Sequence, residues 1–270
     1  MIRDLLRDPR IVIGGVLTLL VVGLAVFGPW LAPYGEYDIV GRPYTSEGGP
    51  LGTDYLGQDV LSRVLYGGRS ILLTAVLATL LGVVVGALWG VVAAYSGGWL
   101  DEVLMRTNDV FLALPQILVT LLVLSAVPEP NMWIIVALVG FTHISRVARV
   151  ARGVALPIVS QDFVVAAEAL GEPRWRIVLT ELRPNVTVPL LAEAGLRLTY
   201  SIGMVAAIGF LGFTTDASAA DWGQMTNENR LALLVQPWGV LAPVIIIALF
   251  TIGTNLVADG IAQRTARGNP

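Results

Sequence analysis

The chain has no cysteine, no lysine and one histidine, His143. Without cysteine there is no disulfide, no thiolate metal site and no cysteine nucleophile. One histidine cannot supply the pair that a H-E-x-x-H zinc motif needs. All 17 basic residues are arginine, so the lysine with which a Walker A loop holds nucleotide phosphates is missing. ATP hydrolysis coupled to this chain therefore has to take place on another polypeptide. Charge itself is scarce, at 14% of 270 residues against about 25% in a soluble domain.

What stands in its place is apolar. Hydrophobic residues make up 55% of the chain, and the mean hydropathy is +0.74. A membrane helix needs about 20 mostly apolar residues to cross about 30 Å of hydrocarbon. Six runs qualify, at 11–31, 71–93, 110–127, 133–150, 186–210 and 240–261, the third and fourth being the shortest. The expectation is an all-α, polytopic membrane bundle of six transmembrane helices, forming one domain over residues 1–270. Loops at 33–69, 151–185 and 212–238 interrupt it. The first run has the basic start of a secretory signal. The following Phe27-Gly-Pro-Trp-Leu-Ala-Pro33 offers no small-x-small cleavage site, so the run reads as a retained first span.

Arginine placement predicts sidedness. Arg3, Arg7, Arg10, Arg106, Arg146, Arg149, Arg152, Arg174, Arg176, Arg183, Arg264 and Arg267 fall on one side by this threading. Arg42, Arg63, Arg69 and Arg230 fall on the other, which also carries acidic residues such as Glu36, Asp59, Asp216 and Glu228. Both termini and the 151–185 loop are thus expected in the cytoplasm.

Residues 51–70 read as a turn followed by a short amphipathic helix, capped by Thr53 or Asp54, with Val60, Leu61, Val64 and Leu65 on one stripe and Gly67-Gly68 at its end. At that length it cannot span, and it is expected on the outer surface. Gly82, Gly86 and Gly90 recur every four residues in the second run, a small-xxx-small ridge that reads as a helix-packing surface rather than a pore. Glu193 and Arg197, four apart, pair on one face of the fifth run and read as a structural ion pair near its cytoplasmic end. Asp259 is expected to orient the cytoplasmic end of the sixth run. His143, in the fourth, is expected to bond a backbone or hydroxyl group.

The 160–185 stretch is the most informative loop. Ser160 or Asp162 can cap a short helix with Phe163, Ala166, Ala167 and Leu170 on its apolar side, and Gly171 suits its C′ position. Pro173 suits the first turn of a second helix, on which Trp175, Val178, Leu179 and Leu182 recur at helical spacing before Pro184 stops it. Either this helix pair folds back on its own bundle, or its small residues admit a partner surface. Periodicity leaves both open.

The pattern Ala166-Ala167-x-x-x-Gly171, with Pro184 thirteen residues after the glycine, resembles the EAA loop of ABC importer membrane subunits. Leu51-Gly-Thr-Asp-Tyr-Leu-Gly-Gln-Asp-Val-Leu-Ser-Arg63 with Tyr66-Gly-Gly-Arg69, Asp101-Glu-Val-Leu-Met-Arg106 with Asp109 and Pro115, Phe210-Leu-Gly212 with Trp222-Gly223, and Asn255-Leu-Val-Ala-Asp259-Gly260 resemble the C-type permease of dipeptide and oligopeptide importers, in family order. The resemblance implies the type I importer permease fold and a multi-pass place in the cytoplasmic membrane. It makes the 151–185 loop a coupling element for an ATP-binding subunit, through Phe163, Ala166, Ala167, Leu170, Gly171, Trp175 and Pro184. It implies a B-type permease partner, two ATP-binding subunits that carry ATP and Mg²⁺, and an external solute-binding protein. Gly52, Thr53, Asp54, Gly57, Asp59 and Arg63 are its candidate contacts with that protein. No cofactor is expected on this chain, and no bond is made or broken by it. Val165 stands where the family motif has Glu, and Glu181 and Arg183 depart from the usual residues before Pro184. An ion-coupled secondary transporter is the competing reading, and nickel or glutathione the competing cargo within the importer reading.

Overall fold

A computed structural model of the chain describes residues 8–214 and 219–267, the last four of these without side chains. Arg3, Arg7 and Asp216, and the side chains of Arg264 and Arg267, lie outside the described residues. Among the described residues the structure is helical with only isolated β-bridges.

Helix α1 (Pro9–Leu31) starts under an Asp8 cap and matches the first apolar run. Helix α2 is longer than expected, Val60–Ser96, and its 37 residues reach about 55 Å, well beyond the hydrocarbon thickness. The short amphipathic helix expected at 60–66 is not separate. It is the outer extension of the second span, and Gly67-Gly68 do not end it. These glycines answer a packing demand. A Cβ on Gly68 would lie 2.6 Å from the Ala25 Cβ and 2.7 Å from Trp222 Cζ2. The cap is Asp59, whose Oδ2 accepts from the Ser62 N–H at 2.8 Å. Thr53 and Asp54 instead organise the preceding turn, where Asp54 Oδ1 accepts from the N–H groups of Leu56 and Gln58, each at 2.9 Å.

The third apolar run is not one straight helix. Helix α3 (Gly98–Ala113) occupies residues expected to be loop, and helix α4 (Gln116–Ala126) follows at a bend of 78°. Pro115 has no N–H to continue the ladder and drives Leu114 into extended backbone (ψ 134°). The pair can serve as one broken crossing, giving six crossings in all. Helix α5 (Met132–Val159) carries the fourth run nine residues past its expected end.

The ridge Gly82, Gly86, Gly90 lies along α5. A Cβ on Gly82 would fall 2.6 Å from the His143 Cβ, and one on Gly86 2.6 Å from the Ile144 carbonyl oxygen; Gly90 abuts the Ala148 carbonyl. In lipid, where apolar burial between helices gains little, such close backbone contact supplies the packing energy.

Beyond α5 come α6 (Asp162–Ala169) and α7 (Arg174–Ile177), then a π-helical turn, Val178–Leu182, that runs into α8 (Arg183–Phe210). Pro184 therefore does not stop a helix. The Arg183 N–H reaches back five residues to the Val178 carbonyl, and this wider turn accommodates the proline ring and its missing donor at the head of α8. Helices α9 (Trp222–Asn229) and α10 (Trp238–Arg267) complete the chain. One buried apolar cluster, including Val21, Ile71, Val139, Ile208, Trp222 and Phe250, joins the long helices. A second, including Val91, Ala151, Val164, Ile177 and Leu182, fastens the α6–α7 region to α2 and α5. Outward positions such as Leu19, Leu118, Leu122 and Leu191 are exposed and apolar, the surface a lipid solvent requires.

Candidate functional site

Helix α6 ends in a Schellman motif. The Glu172 N–H donates to the Ala167 carbonyl at 3.1 Å and the Gly171 N–H to the Glu168 carbonyl at 3.0 Å, with Gly171 at φ +77°. Pro173 then starts α7. The capping expected from Ser160 or Asp162 is not made. Gln161 is the N-cap, without a side-chain bond, and the Ser160 hydroxyl donates to the Pro157 carbonyl at the end of α5.

One face of this hairpin folds back on the bundle, and the other is left open. Val164, Ala167, Ile177 and Leu182 are buried against the protein's own bundle. Phe163, Val165, Ala166, Leu170 and Trp175 point away and are exposed, Leu170 at 83% and Trp175 at 66%. The expected stripes are thus split. Ala167 faces inward while Ala166 faces out, and Ile177, not Trp175, supplies the inner contact of the second helix. Periodicity on eight- and four-residue helices does not resolve which side meets the bundle. Val165 is exposed on the outer face, Glu181 is half-buried, and Arg183 is exposed beside Pro184.

The frame behind the hairpin is held by ion pairs. Arg152 grips Asp101 with two bonds, at 2.6 and 2.7 Å, and Arg149 bonds Asp109 at 2.5 Å, tying α5 to α3. The Asn108 amide donates to the Ser145 carbonyl at 3.0 Å. Sequence reasoning counted these arginines for sidedness and did not find their acidic partners, because the pairs span 40 and 51 residues.

A second cluster lies at the far end of the bundle. Arg63, 1% exposed, bonds Asp54 at 2.5 Å and Glu228 at 3.0 Å, pinning the 33–59 loop onto α9. The Tyr55 hydroxyl donates to Glu228, and its N–H to Asn229 Oδ1. Burial, then the Glu228 carboxylate, push the Tyr55 phenol above its ordinary range, so it stays a neutral donor. Gly52, Thr53, Asp54, Gly57, Asp59 and Arg63 are all buried, so the expectation that these side chains touch an external protein does not hold. They build the loop instead; Gly52 at φ +71° and Gly57 at φ +83° take turn conformations that favour glycine. Large apolar residues of this loop that do face outward include Tyr34, Tyr37, Ile39 and Leu56. Asp221, the N-cap of α9, accepts from the Gly223 and Gln224 N–H groups, and burial pushes its carboxyl above the usual range.

Within the bundle, His143 Nε2 and the Ser201 hydroxyl are 2.8 Å apart, and Ser201 and Thr79 share a second bond at 2.8 Å. The histidine thus bonds a hydroxyl, as its position suggested. Glu193 and Arg197 pair at 2.8 Å, with the guanidinium 4.9 Å from the Tyr200 ring centroid. Asp259 is exposed and makes no ion pair with a described residue. A cleft of about 510 Å³ opens between α4, α5, α8 and α10, and polar side chains of Gln116, His143, Arg146, Thr199, Tyr200 and Asn255 line it. This cleft is not legible in the sequence, because its walls come from four separated helices.

Apolar helices long enough for five or six crossings, with a capped hairpin at one end of the bundle, define a multi-pass helical membrane protein. Residues 82–267 match the family described as binding-protein-dependent transport system inner membrane component, and residues 1–46 match the N-terminal TM domain of oligopeptide transport permease C. The chain belongs to the binding-protein-dependent transport family, and its all-α bundle is the type I ABC importer permease fold. It is 30% identical over 257 residues to the probable D,D-dipeptide transport system permease protein of Escherichia coli, covering 94% of this chain and 86% of that one. It is 30% identical over 254 residues to the oligopeptide transport system permease protein of Bacillus subtilis, covering 92% and 82%. A glutathione transport system permease protein of Pectobacterium atrosepticum is 30% identical over 263 residues, covering 96% and 87%. The family is one of transport permease subunits.

Proposed function

We propose that the chain is the C-type permease subunit of an ABC importer that carries dipeptides or oligopeptides across the cytoplasmic membrane. Its partners are a related B-type permease, two ATP-binding subunits and an external solute-binding protein. ATP and Mg²⁺ bind on the ATPase subunits; this chain makes and breaks no bond. Both termini and the α6–α7 hairpin face the cytoplasm, in keeping with the arginine bias.

The observation that carries this reading is the outer face of the hairpin. Five apolar or small residues, Phe163, Val165, Ala166, Leu170 and Trp175, are exposed at the end of helices that extend past a bilayer's thickness. A rigid knob held from behind by Ile177 and Leu182 suits a groove on an ATPase, whose movement it then passes to α8 without a flexible joint. The peptide and oligopeptide relatives support the cargo, and the glutathione relative supports glutathione, itself a small peptide, as a second reading.

The lack of native cysteine permits a direct test. A single cysteine introduced as Leu170→Cys should cross-link to a cysteine in the ATPase groove in the assembled complex, and Leu118→Cys, on a lipid-facing helix, should not. Absence of cross-linking at Leu170, or peptide uptake driven by a proton gradient without ATPase subunits, would defeat the proposal. Competition of labelled dipeptide uptake by excess glutathione separates the two cargoes.

A further inference from the structure

Arg146 is a charge within a membrane-spanning helix that no described residue pairs. It lies fourteen residues into α5, about 21 Å from the Met132 end and so inside the hydrocarbon thickness if that end sits at the boundary. Arg149 and Arg152, further along the same helix, are closer to the opposite boundary and have Asp109 and Asp101 as counter-ions. Arg146 forms no ion pair or hydrogen bond among the described residues. It projects into the cleft between α4, α5, α8 and α10 instead.

The electrostatics of that cleft are one-sided. Arg197, which does not line the cleft, lies near enough to repel Arg146, and among the described residues Glu193 pairs with Arg197 and not with Arg146. Two positive charges stand against one negative. Two neutral donors, Asn255 and Tyr200, line the cleft with Arg146, and their side chains make no hydrogen bond to a described residue. An intramembrane ionisable group that faces a cavity, with no partner, is retained against a cost and marks a ligand path.

We infer that this cleft is a carboxylate-binding subsite on the translocation path, in which Arg146, with Asn255 beside it, receives the free carboxylate of a short peptide. The inference rests on the peptide-importer reading above and adds a selective station inside the permease, separate from the selection made by the binding protein. A guanidinium suits the role because its fork matches a carboxylate and stays charged at any depth. A single such station, open on one side, can also release its ligand.

The test uses the whole importer, reconstituted in vesicles of neutral lipid with its binding protein unchanged. Uptake of a dipeptide is compared with uptake of its C-terminal amide, in the parent and in Arg146→Gln. Because the binding protein is constant, the ratio of the two ratios isolates the permease. Loss of a charged hydrogen-bond partner should lower free-acid uptake about tenfold and amide uptake by no more than about twofold. Arg146→Lys, which keeps the charge but loses the fork, should recover only part of the difference. Equal falls for both substrates, or no fall, overturn the inference while leaving the peptide reading intact. Failure of the B-type permease to copurify with the Arg146→Gln chain would assign the charge to a pair between subunits and overturn it. A loss confined to vesicles with anionic lipid would assign it to a headgroup, with the same result. If the parent complex imports neither peptide, the peptide reading fails and this inference falls with it.

Discussion

Removing the Arg63 guanidinium should be among the most damaging single changes in the chain. Its charge is 1% exposed and faces Asp54, 0% exposed, and Glu228. Arg63→Ala strands the Asp54 carboxylate where water does not reach it and leaves Glu228, 12% exposed, without its guanidinium partner. Breaking a buried pair by removing one partner costs about 3–5 kcal/mol, because the remaining charge is left uncompensated. The cost should not reflect lost attraction alone. Arg63→Met with Asp54→Asn and Glu228→Gln removes every charge, and this triple variant should recover most of the loss. The assay is unfolding of the purified chain in detergent, followed by tryptophan fluorescence. Trp222, fully buried two turns from Glu228 and bonded through Nε1 to the Val64 carbonyl, reports on this region. If Arg63→Ala unfolds within about 0.5 kcal/mol of the parent, or the triple variant is no better than the single one, the buried-charge reasoning is refuted.

Three further outcomes follow from particular contacts. Ala166→Trp, on the exposed face of α6, should leave unfolding unchanged and reduce ATP-driven uptake, whereas Ala167→Trp, at 9% exposure, should destabilise the chain itself by about 1–3 kcal/mol; the opposite ranking in a thermal-stability assay would invert the assignment of faces. Gly86→Leu should separate α2 from α5, since even a Cβ would lie 2.6 Å from the Ile144 carbonyl oxygen, and a loss of about 1–3 kcal/mol or more is expected from unfolding in detergent. Asp221→Ala should cost about 1 kcal/mol as a lost cap, and Asp221→Asn much less. Burial raises the Asp221 pKa above its unfolded value, so ionisation at neutral pH costs stability. Stability should therefore rise as pH falls through the raised value in the parent, and this contribution should be absent in Asp221→Asn.

The hairpin shows where sequence reading succeeds and where it stops. Gly171 was legible as a helix C′ position because a left-handed residue followed by proline is a local requirement, met within six residues. Which of Ala166 and Ala167 faces a partner was not legible, because both are small and only the packing of Ile177 and Leu182 against α2 and α5 decides it. Gly67-Gly68 misled for a related reason. Glycine serves equally as a stop and as a contact for a large neighbour, and the neighbour here, Trp222, lies more than 150 residues away. Pro184 misled because one π-turn is enough to carry a helix across a proline.

The sequence by itself determined the class of solvent. Six apolar runs and scarce charge were enough for a helical membrane protein. Those are properties of composition and short-range pattern, and lipid enforces them residue by residue. Only the tertiary structure decided the pairings: Arg63 with Asp54 and Glu228, Arg152 with Asp101, and Arg146 with no described residue. A charge reveals its position along the chain, but its cost and use depend on what the fold brings within about 4 Å of it.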